Sequence, residues 1–224
     1  MLDPYMRTLI DPPLNHFGMR LVKLGISSNA MTFFGFAAGL LAMGAITHHD
    51  YMIAALLFFI NRLADGLDGA MARHSQTTDF GGVLDIACDF IVYAGMVFAF
   101  GLADPENLFY ASLLIFSFIG PITTFLAYAI VAAKQRINTT RRGIKSFYHL
   151  GGICEGTETA FILLVICIFP DTFAWVSIIY GTLCWFTTAG RLYRAYIDFG
   201  ESELPDSKSA PLPYNENHDT TSYP

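Results

Sequence analysis

The sequence predicts an all-α integral membrane protein: six transmembrane helices preceded by an amphipathic surface helix, with both termini on the cytoplasmic side (N-in/C-in). Three observations carry this. Of the 224 residues, 54% are hydrophobic and only 14% charged, with a mean hydropathy of +0.45, too apolar for an ordinary soluble domain of that length. Apolar stretches long enough to cross a bilayer as a helix, roughly 17–25 residues, recur six times. The basic residues gather in alternate connections, as cytoplasmic loops require. The formal charge of -6 says less, because the acids concentrate in the tail, the loops and one motif. No nucleic-acid partner is expected.

Residues 1–29 form a cytoplasmic N-terminal segment. Within it Leu14, Phe17, Leu21 and Leu24 recur at helical spacing while Arg20 and Lys23 point elsewhere, which suits a helix lying on the membrane surface. Pro12 and Pro13 belong near its start, where missing backbone donors cost least. Asp3, Pro4, Arg7 and Asp11 interrupt any apolar run, so no cleavable signal is expected. The spans follow at 30–47, 51–72, 80–103, 108–133, 150–169 and 172–190, within a six-helix domain over 30–199. Pro121 inside the fourth removes a backbone donor and predicts a kink. Residues 200–224 bring Glu201, Glu203, Pro205, Asp206, Pro211 and Pro213 with too little apolar surface to fold, and are expected to be a disordered cytoplasmic tail. Cys88, Cys154, Cys167 and Cys184 sit in apolar stretches without metal or redox spacing and read as packing residues.

Orientation follows from lysine and arginine. With the N-terminus inside, Arg7, Arg20, Lys23, Arg73, Lys134, Arg136, Arg141, Arg142, Lys145, Arg191, Arg194 and Lys208 all fall on the cytoplasmic side. Arg62 alone lies inside a span.

That second span ends in Asn61-Arg62-Leu63-Ala64-Asp65-Gly66-Leu67-Asp68-Gly69-Ala70-Met71-Ala72-Arg73, and the third begins Phe80-Gly81-Gly82-Val83-Leu84-Asp85-Ile86-Ala87-Cys88-Asp89. Asp65 and Asp68 are three apart and Asp85 and Asp89 four apart, so each pair lies on one helix face. The short connection makes the two helix ends antiparallel neighbours, and four carboxylates converge at the cytoplasmic boundary. A carboxylate at membrane depth costs on the order of 2.5–3.5 kcal/mol, and four together add mutual repulsion. Arg62 and Arg73 neutralise part of that charge, but hard divalent cations suit clustered oxygens better, and two ions sharing such a site are usual equipment for displacement at phosphorus. Gly66, Gly69, Gly81 and Gly82, with Ala72, leave bare backbone for a nucleotide, with Arg73 available to a phosphate. Close helix packing is the blander use of such small residues.

The run from Asp65 to Asp89 resembles the signature of the CDP-alcohol phosphotransferases, Asp-x-x-Asp-Gly-x-x-Ala-Arg followed by Gly-x-x-x-Asp-x-x-x-Asp. The spacer 74–80 has seven residues against a usual count of about eight. Asn29-Ala30-Met31-Thr32 is similar to the family's Pro-Asn-x-x-Thr without the proline. The resemblance implies transfer of a phosphatidyl group from a CDP-linked lipid, CDP-diacylglycerol, to a small polar alcohol, free or phosphorylated, releasing CMP. It implies that Asp65, Asp68 and Asp85 hold Mg2+ or Mn2+, two ions per site, with Asp89 completing the cluster and acting as general base. CDP would contact Asp68, Gly69, Ala72, Arg73 and Gly81. The resemblance also implies a homodimer, for which Gly35, Ala37, Ala38 and Gly39 offer one close-packing surface, and points to a bacterial cytoplasmic (inner) membrane with the site facing the cytoplasm.

For the acceptor, the resemblance points to Lys134 and Arg191, and Arg141 and Glu158 lie in the same region. Basic helix ends are also what topology and anionic lipids require, and acids such as Glu155 and Glu158 are favoured by a helix N-terminus. Two rival readings stay open: a CDP-choline or CDP-ethanolamine enzyme acting on diacylglycerol, which shares the signature, and an ion-coupled transporter. Transporter sites lie near the bilayer midplane between repeats, whereas these acids lie near one face and no repeat is visible.

Overall fold

A chain in which apolar residues run in stretches of about twenty between short polar breaks can satisfy its backbone only by coiling each stretch on itself. The computed structural model describes residues 3–75, 77–134 and 152–200, and among these every regular element is helical. The helices are α1 (Asp3–Lys23), α2 (Ser28–Thr47), α3 (Tyr51–His74), α4 (Asp79–Ala103), α5 (Leu108–Lys134), α6 (Gly156–Ile168) and α7 (Phe173–Phe199), with single 3-10 turns at Pro105–Asn107 and Pro170–Thr172. Arg136, Arg141, Arg142, Lys145 and residues 201–224 of the predicted tail, Lys208 among them, lie outside the described residues.

Among the described residues, four segments are long and apolar enough to cross a membrane: Ser28–Thr47, Asp79–Ala103, Pro105–Lys134 and Pro170–Phe199. The other two expected spans differ from them in kind. Helix α3 has 24 residues but carries Arg62, Asp65, Asp68 and Arg73 from its middle onward. Helix α6 has 13 residues, about 20 Å at 1.5 Å per residue, because the chain becomes helical only at Gly156. Residues 152–155 are held otherwise: the backbone N–H groups of Ile153 and Cys154 both donate to Thr187 Oγ1 at 3.1 Å, and that of Gly152 to Glu155 Oε1 at 2.8 Å. Side-chain acceptors thus replace the missing helical turn.

Two caps set the ends that matter for the site. Ser27 accepts from the Ala30 N–H at 3.2 Å to start α2, and Thr78 accepts from the Gly81 N–H at 3.0 Å to start α4. Helix α2 lies against both α3 and α4 through its small residues. A Cβ at Gly35 would sit 2.9 Å from Ala64 Cβ, and one at Gly39 would sit 2.6 Å from Val92 Cγ2. Gly35, Ala38 and Gly39 are therefore used within the chain, leaving Ala37 on the exposed side of α2.

Helix α5 pairs with α7, and α6 packs on α3 and α4. At the end remote from the acids, Tyr51, Phe100 and Phe173 stack as a column, with ring centroids 5.5 and 4.7 Å apart, locking α3, α4 and α7 together. The four cysteines are free and buried, as packing residues. Pro121 lies within a continuous α5. The Thr124 hydroxyl donates to the Gly120 carbonyl at 2.7 Å and Arg191 Nη1 to the Pro121 carbonyl at 2.8 Å, so polar side chains cover the carbonyls around the proline.

Pro12 and Pro13 sit inside α1 and not at its start. Proline's fixed φ is helical, so the helix runs on and loses only the two bonds those N–H groups would have made. Leu14 and Gly18 face α3: Gly18 is within reach of Ala70 and Met71, and Leu14 covers Gly66. Phe17 and Leu24, expected on the same apolar stripe, point outward at 55% and 75% exposure.

Candidate active site

The i,i+3 and i,i+4 spacings of the four aspartates work as the helix period dictates, and α3 and α4 bring their acidic faces together. Carboxylate oxygens of Asp65, Asp68 and Asp85 all lie within 4.8 Å of one another. Asp68 is buried, while Asp65 and Asp85 are half-buried. The Thr32 hydroxyl of α2 donates to Asp68 Oδ2 at 2.6 Å, a short charge-assisted bond. The Ser28 carbonyl is 3.2 Å from the same hydroxyl, and the single proton serves the shorter contact. The sequence placed Thr32 at the start of the first span but did not assign it to Asp68.

Asp89 stands outside this trio. Both its oxygens accept from Arg62, Nη2 to Oδ1 at 2.6 Å and Nη1 to Oδ2 at 3.2 Å. The same guanidinium reaches Asp65 Oδ2 at 3.6 Å and donates to the Tyr93 hydroxyl at 2.7 Å and to Asn61 Oδ1 at 2.8 Å. Its carbon lies 5.4 Å from the Phe58 ring centroid and 4.8 Å from that of Tyr93. Phe58 and Tyr93 thus make the walls around a half-buried arginine. The signal was present in the spacing, since Phe58 precedes Arg62 by four residues and Tyr93 follows Asp89 by four.

The small residues divide. A Cβ at Gly69 would meet nothing closer than Arg73 Nη1 at 3.9 Å, and one at Gly82 would meet nothing within 4 Å. These two leave open backbone. Gly66 lies under Leu14, and a Cβ at Gly81 would come within 3.0 Å of both Asn29 Oδ1 and Thr78 Oγ1, so Gly81 is needed for the fit of the α2 and α4 starts. Ala72 is half-buried and Arg73 exposed, one residue before the end of α3. Arg73 is held from α1: its Nε and Nη2 donate to Asn15 Oδ1 at 3.2 and 3.1 Å, and Nη2 is 3.6 Å from the Asp11 carboxylate. Helix α1 is thereby tied to the site, which its amphipathic pattern alone does not reveal.

Of the expected acceptor residues, Lys134 is exposed as the last residue of α5, Glu158 is half-buried in the first turn of α6, and Arg141 lies outside the described residues. Arg191 is half-buried on α7, with its guanidinium carbon 5.8 Å from the Phe125 ring centroid, and feels the Glu155 carboxylate. Two turns further on, Asp198 accepts from Tyr128 and from Arg194, each at 2.9 Å, and latches α5 to α7.

A family model for CDP-alcohol phosphatidyltransferase matches residues 26–190. The chain is 44% identical over 198 residues to the inner membrane protein YnjF of Escherichia coli (strain K12), covering 88% of this chain and 96% of that one. It is 27% identical over 191 residues to an archaetidylinositol phosphate synthase of Pyrococcus horikoshii, covering 85% and 94%. Its fold is similar to that of the phosphatidylinositol phosphate synthase PgsA1 of Mycobacterium tuberculosis, solved with CDP-DAG bound, with a TM-score of 0.67, 19% identity and coverage of 86% of this chain and 98% of the other. The apolar helices, the aspartate cluster and these relationships place the chain, an integral membrane protein, in the CDP-alcohol phosphatidyltransferase family of phospholipid-synthesising transferases.

Proposed function

We propose that this chain transfers a phosphatidyl group from CDP-diacylglycerol to a small polar, phosphorylated alcohol with release of CMP, at the cytoplasmic face of a bacterial inner membrane. The observation that carries the reading is the Asp65, Asp68 and Asp85 cluster, whose oxygens lie within 4.8 Å of one another. Three hard anionic oxygens that close fit Mg2+ or Mn2+, and Thr32 fixes the orientation of one of them. A bound divalent ion would offset the charge of the donor's pyrophosphate and of the departing CMP. The donor assignment rests on the family and on the CDP-DAG bound to PgsA1; the acceptor class rests on the names of that enzyme and of the archaeal relative.

In this reading Asp89 accepts the acceptor's hydroxyl proton as that oxygen attacks the phosphorus bearing the diacylglycerol. The bond from that phosphorus to the bridging oxygen breaks, and CMP leaves with the electron pair. Each carboxylate oxygen has two lone pairs, so Asp89 can take a proton while Arg62 still holds it. Asp68, Gly69, Ala72, Arg73 and Gly81 form the CDP side, with open backbone at Gly69 for close approach. Lys134, Arg141, Glu158 and Arg191 form the acceptor side. Helices α3 and α6 complete six spans with both termini cytoplasmic, α1 lies on the surface within residues 1–29, the catalytic domain covers 30–199, and the enzyme works as a homodimer.

Two consequences are measurable. Thr32→Val removes the bond that orients Asp68 and should weaken Mn2+ binding by about 10- to 100-fold, read by titration calorimetry. Asn15→Ala frees Arg73 from α1 and should raise the KM for CDP-diacylglycerol about 3- to 10-fold with little change in kcat. The reading itself is tested by CMP release from purified protein given CDP-diacylglycerol, Mg2+ or Mn2+ and, in turn, glycerol phosphate, inositol, inositol phosphate and serine. Release that requires both the ion and a phosphorylated acceptor is expected. No release with any of them, or turnover of CDP-choline with diacylglycerol instead, overturns it.

A further inference from the structure

Arg62 lies midway along α3, and its contacts are more numerous than neutralisation alone would need. A single carboxylate partner would discharge it. Instead the guanidinium lies between the carboxylates of Asp65 and Asp89, grips both oxygens of Asp89, and is fixed by Asn61, by the Tyr93 hydroxyl and by the rings of Phe58 and Tyr93. Five neighbours hold it in one place and one orientation. The Tyr93 hydroxyl in turn sits 3.4 Å from the Gly156 carbonyl at the start of α6, so the arginine is braced across three helices.

We propose that Arg62 is a positioning residue that serves as a built-in second cation: it occupies the place between Asp65 and Asp89 and keeps Asp89 out of the metal-binding set. The site without donor then takes one divalent ion, on Asp65, Asp68 and Asp85, where the sequence led to an expectation of two. Asp89 and Asp85, four residues apart on one face of α4, would otherwise offer an ion a second set of oxygens. A planar fork suits the purpose, because it binds both oxygens of Asp89 and fixes the carboxylate's plane, which a free ion with exchangeable ligands does not. The fixed plane aims the remaining lone pairs of Asp89 at one position. This rests on the proposed metal and base assignments, and adds to them what separates the two.

The test counts Mn2+ bound per chain in purified protein without donor, by equilibrium titration and electron paramagnetic resonance, with an Asp65→Asn, Asp68→Asn double variant as the blank for binding elsewhere. Wild type is expected to bind one ion above that blank with a mononuclear signal. Arg62→Gln is expected to bind two, with a spin-coupled signal, and to lose about 100-fold in kcat for CMP release while its KM for donor changes little. Arg62→Lys keeps the charge without the fork and should retain a count of one with kcat between the two. Two ions in wild type, or the same count in wild type and Arg62→Gln, overturns the proposal. If Arg62→Gln does not fold, the wild-type count and the Arg62→Lys split between count and kcat decide it in the same way. Absent CMP release from a wild type that binds one ion and an Arg62→Gln variant that binds two would instead overturn the reaction while leaving the role of Arg62 intact.

Discussion

Asp68→Ala is expected to abolish CMP release and to weaken Mn2+ binding by more than about 100-fold, beyond the loss seen when an outer partner of a metal ligand is removed. The carboxylate is buried, is one of the three whose oxygens cluster within 4.8 Å, and receives the Thr32 hydroxyl at 2.6 Å. Its removal should not unfold the protein. Without an ion, three neighbouring carboxylates repel one another, so deleting one relieves charge repulsion in a poorly solvated place. The Thr32 hydroxyl can turn to the Ser28 carbonyl, 3.2 Å away. A thermal midpoint equal to or above wild type in the metal-free protein, with ion binding lost, is the expected pair of results. Undiminished Mn2+ affinity would remove Asp68 from the proposed metal set.

Asp89→Asn should lower kcat by about 10²- to 10⁴-fold, the range for losing a general base, and leave the donor's affinity near its wild-type value. The two effects separate because Asp89 lies outside the trio of clustered oxygens and is paired with Arg62. Asparagine preserves the shape and one acceptor for the guanidinium, so the surrounding helices keep their contacts. Single-turnover CMP release and equilibrium binding of CDP-diacylglycerol, measured on the same preparation, read the two quantities. Full activity in this variant would sink the base assignment. Lost donor affinity would place Asp89 on the CDP side.

The relation between sequence and structure is clearest helix by helix. Boundaries for α2, α3 and α4 fall within a few residues of the expected spans, since hydropathy breaks at the polar residues that precede each helix, and Ser27 and Thr78 also cap α2 and α4. For α6 they do not: hydropathy runs through residues 152–155, but those backbone groups bond to Thr187 and Glu155, a choice made by α7 and the loop's own acid. The small residues of α2 give a similar lesson. A glycine pair at four-residue spacing fits packing within a chain or between chains, and only the neighbours Ala64 and Val92 distinguish the two.

By itself the sequence determined the helical class, the apolar segments and the pairing of acids on two helix faces, because hydropathy and helix period are properties of the chain read locally. It also carried the signature that assigns the family. Contacts between helices remained to be decided by the tertiary structure: that Asp65, Asp68 and Asp85 converge while Asp89 is taken by Arg62, that Thr32 orients Asp68, and that α1 grips Arg73 through Asn15. Helix period fixes the face on which a side chain stands. Which partner it meets depends on how neighbouring helices are rotated and spaced, and that follows from the packing of Gly35, Gly39 and Gly18 against residues of α3 and α4 far away in the chain.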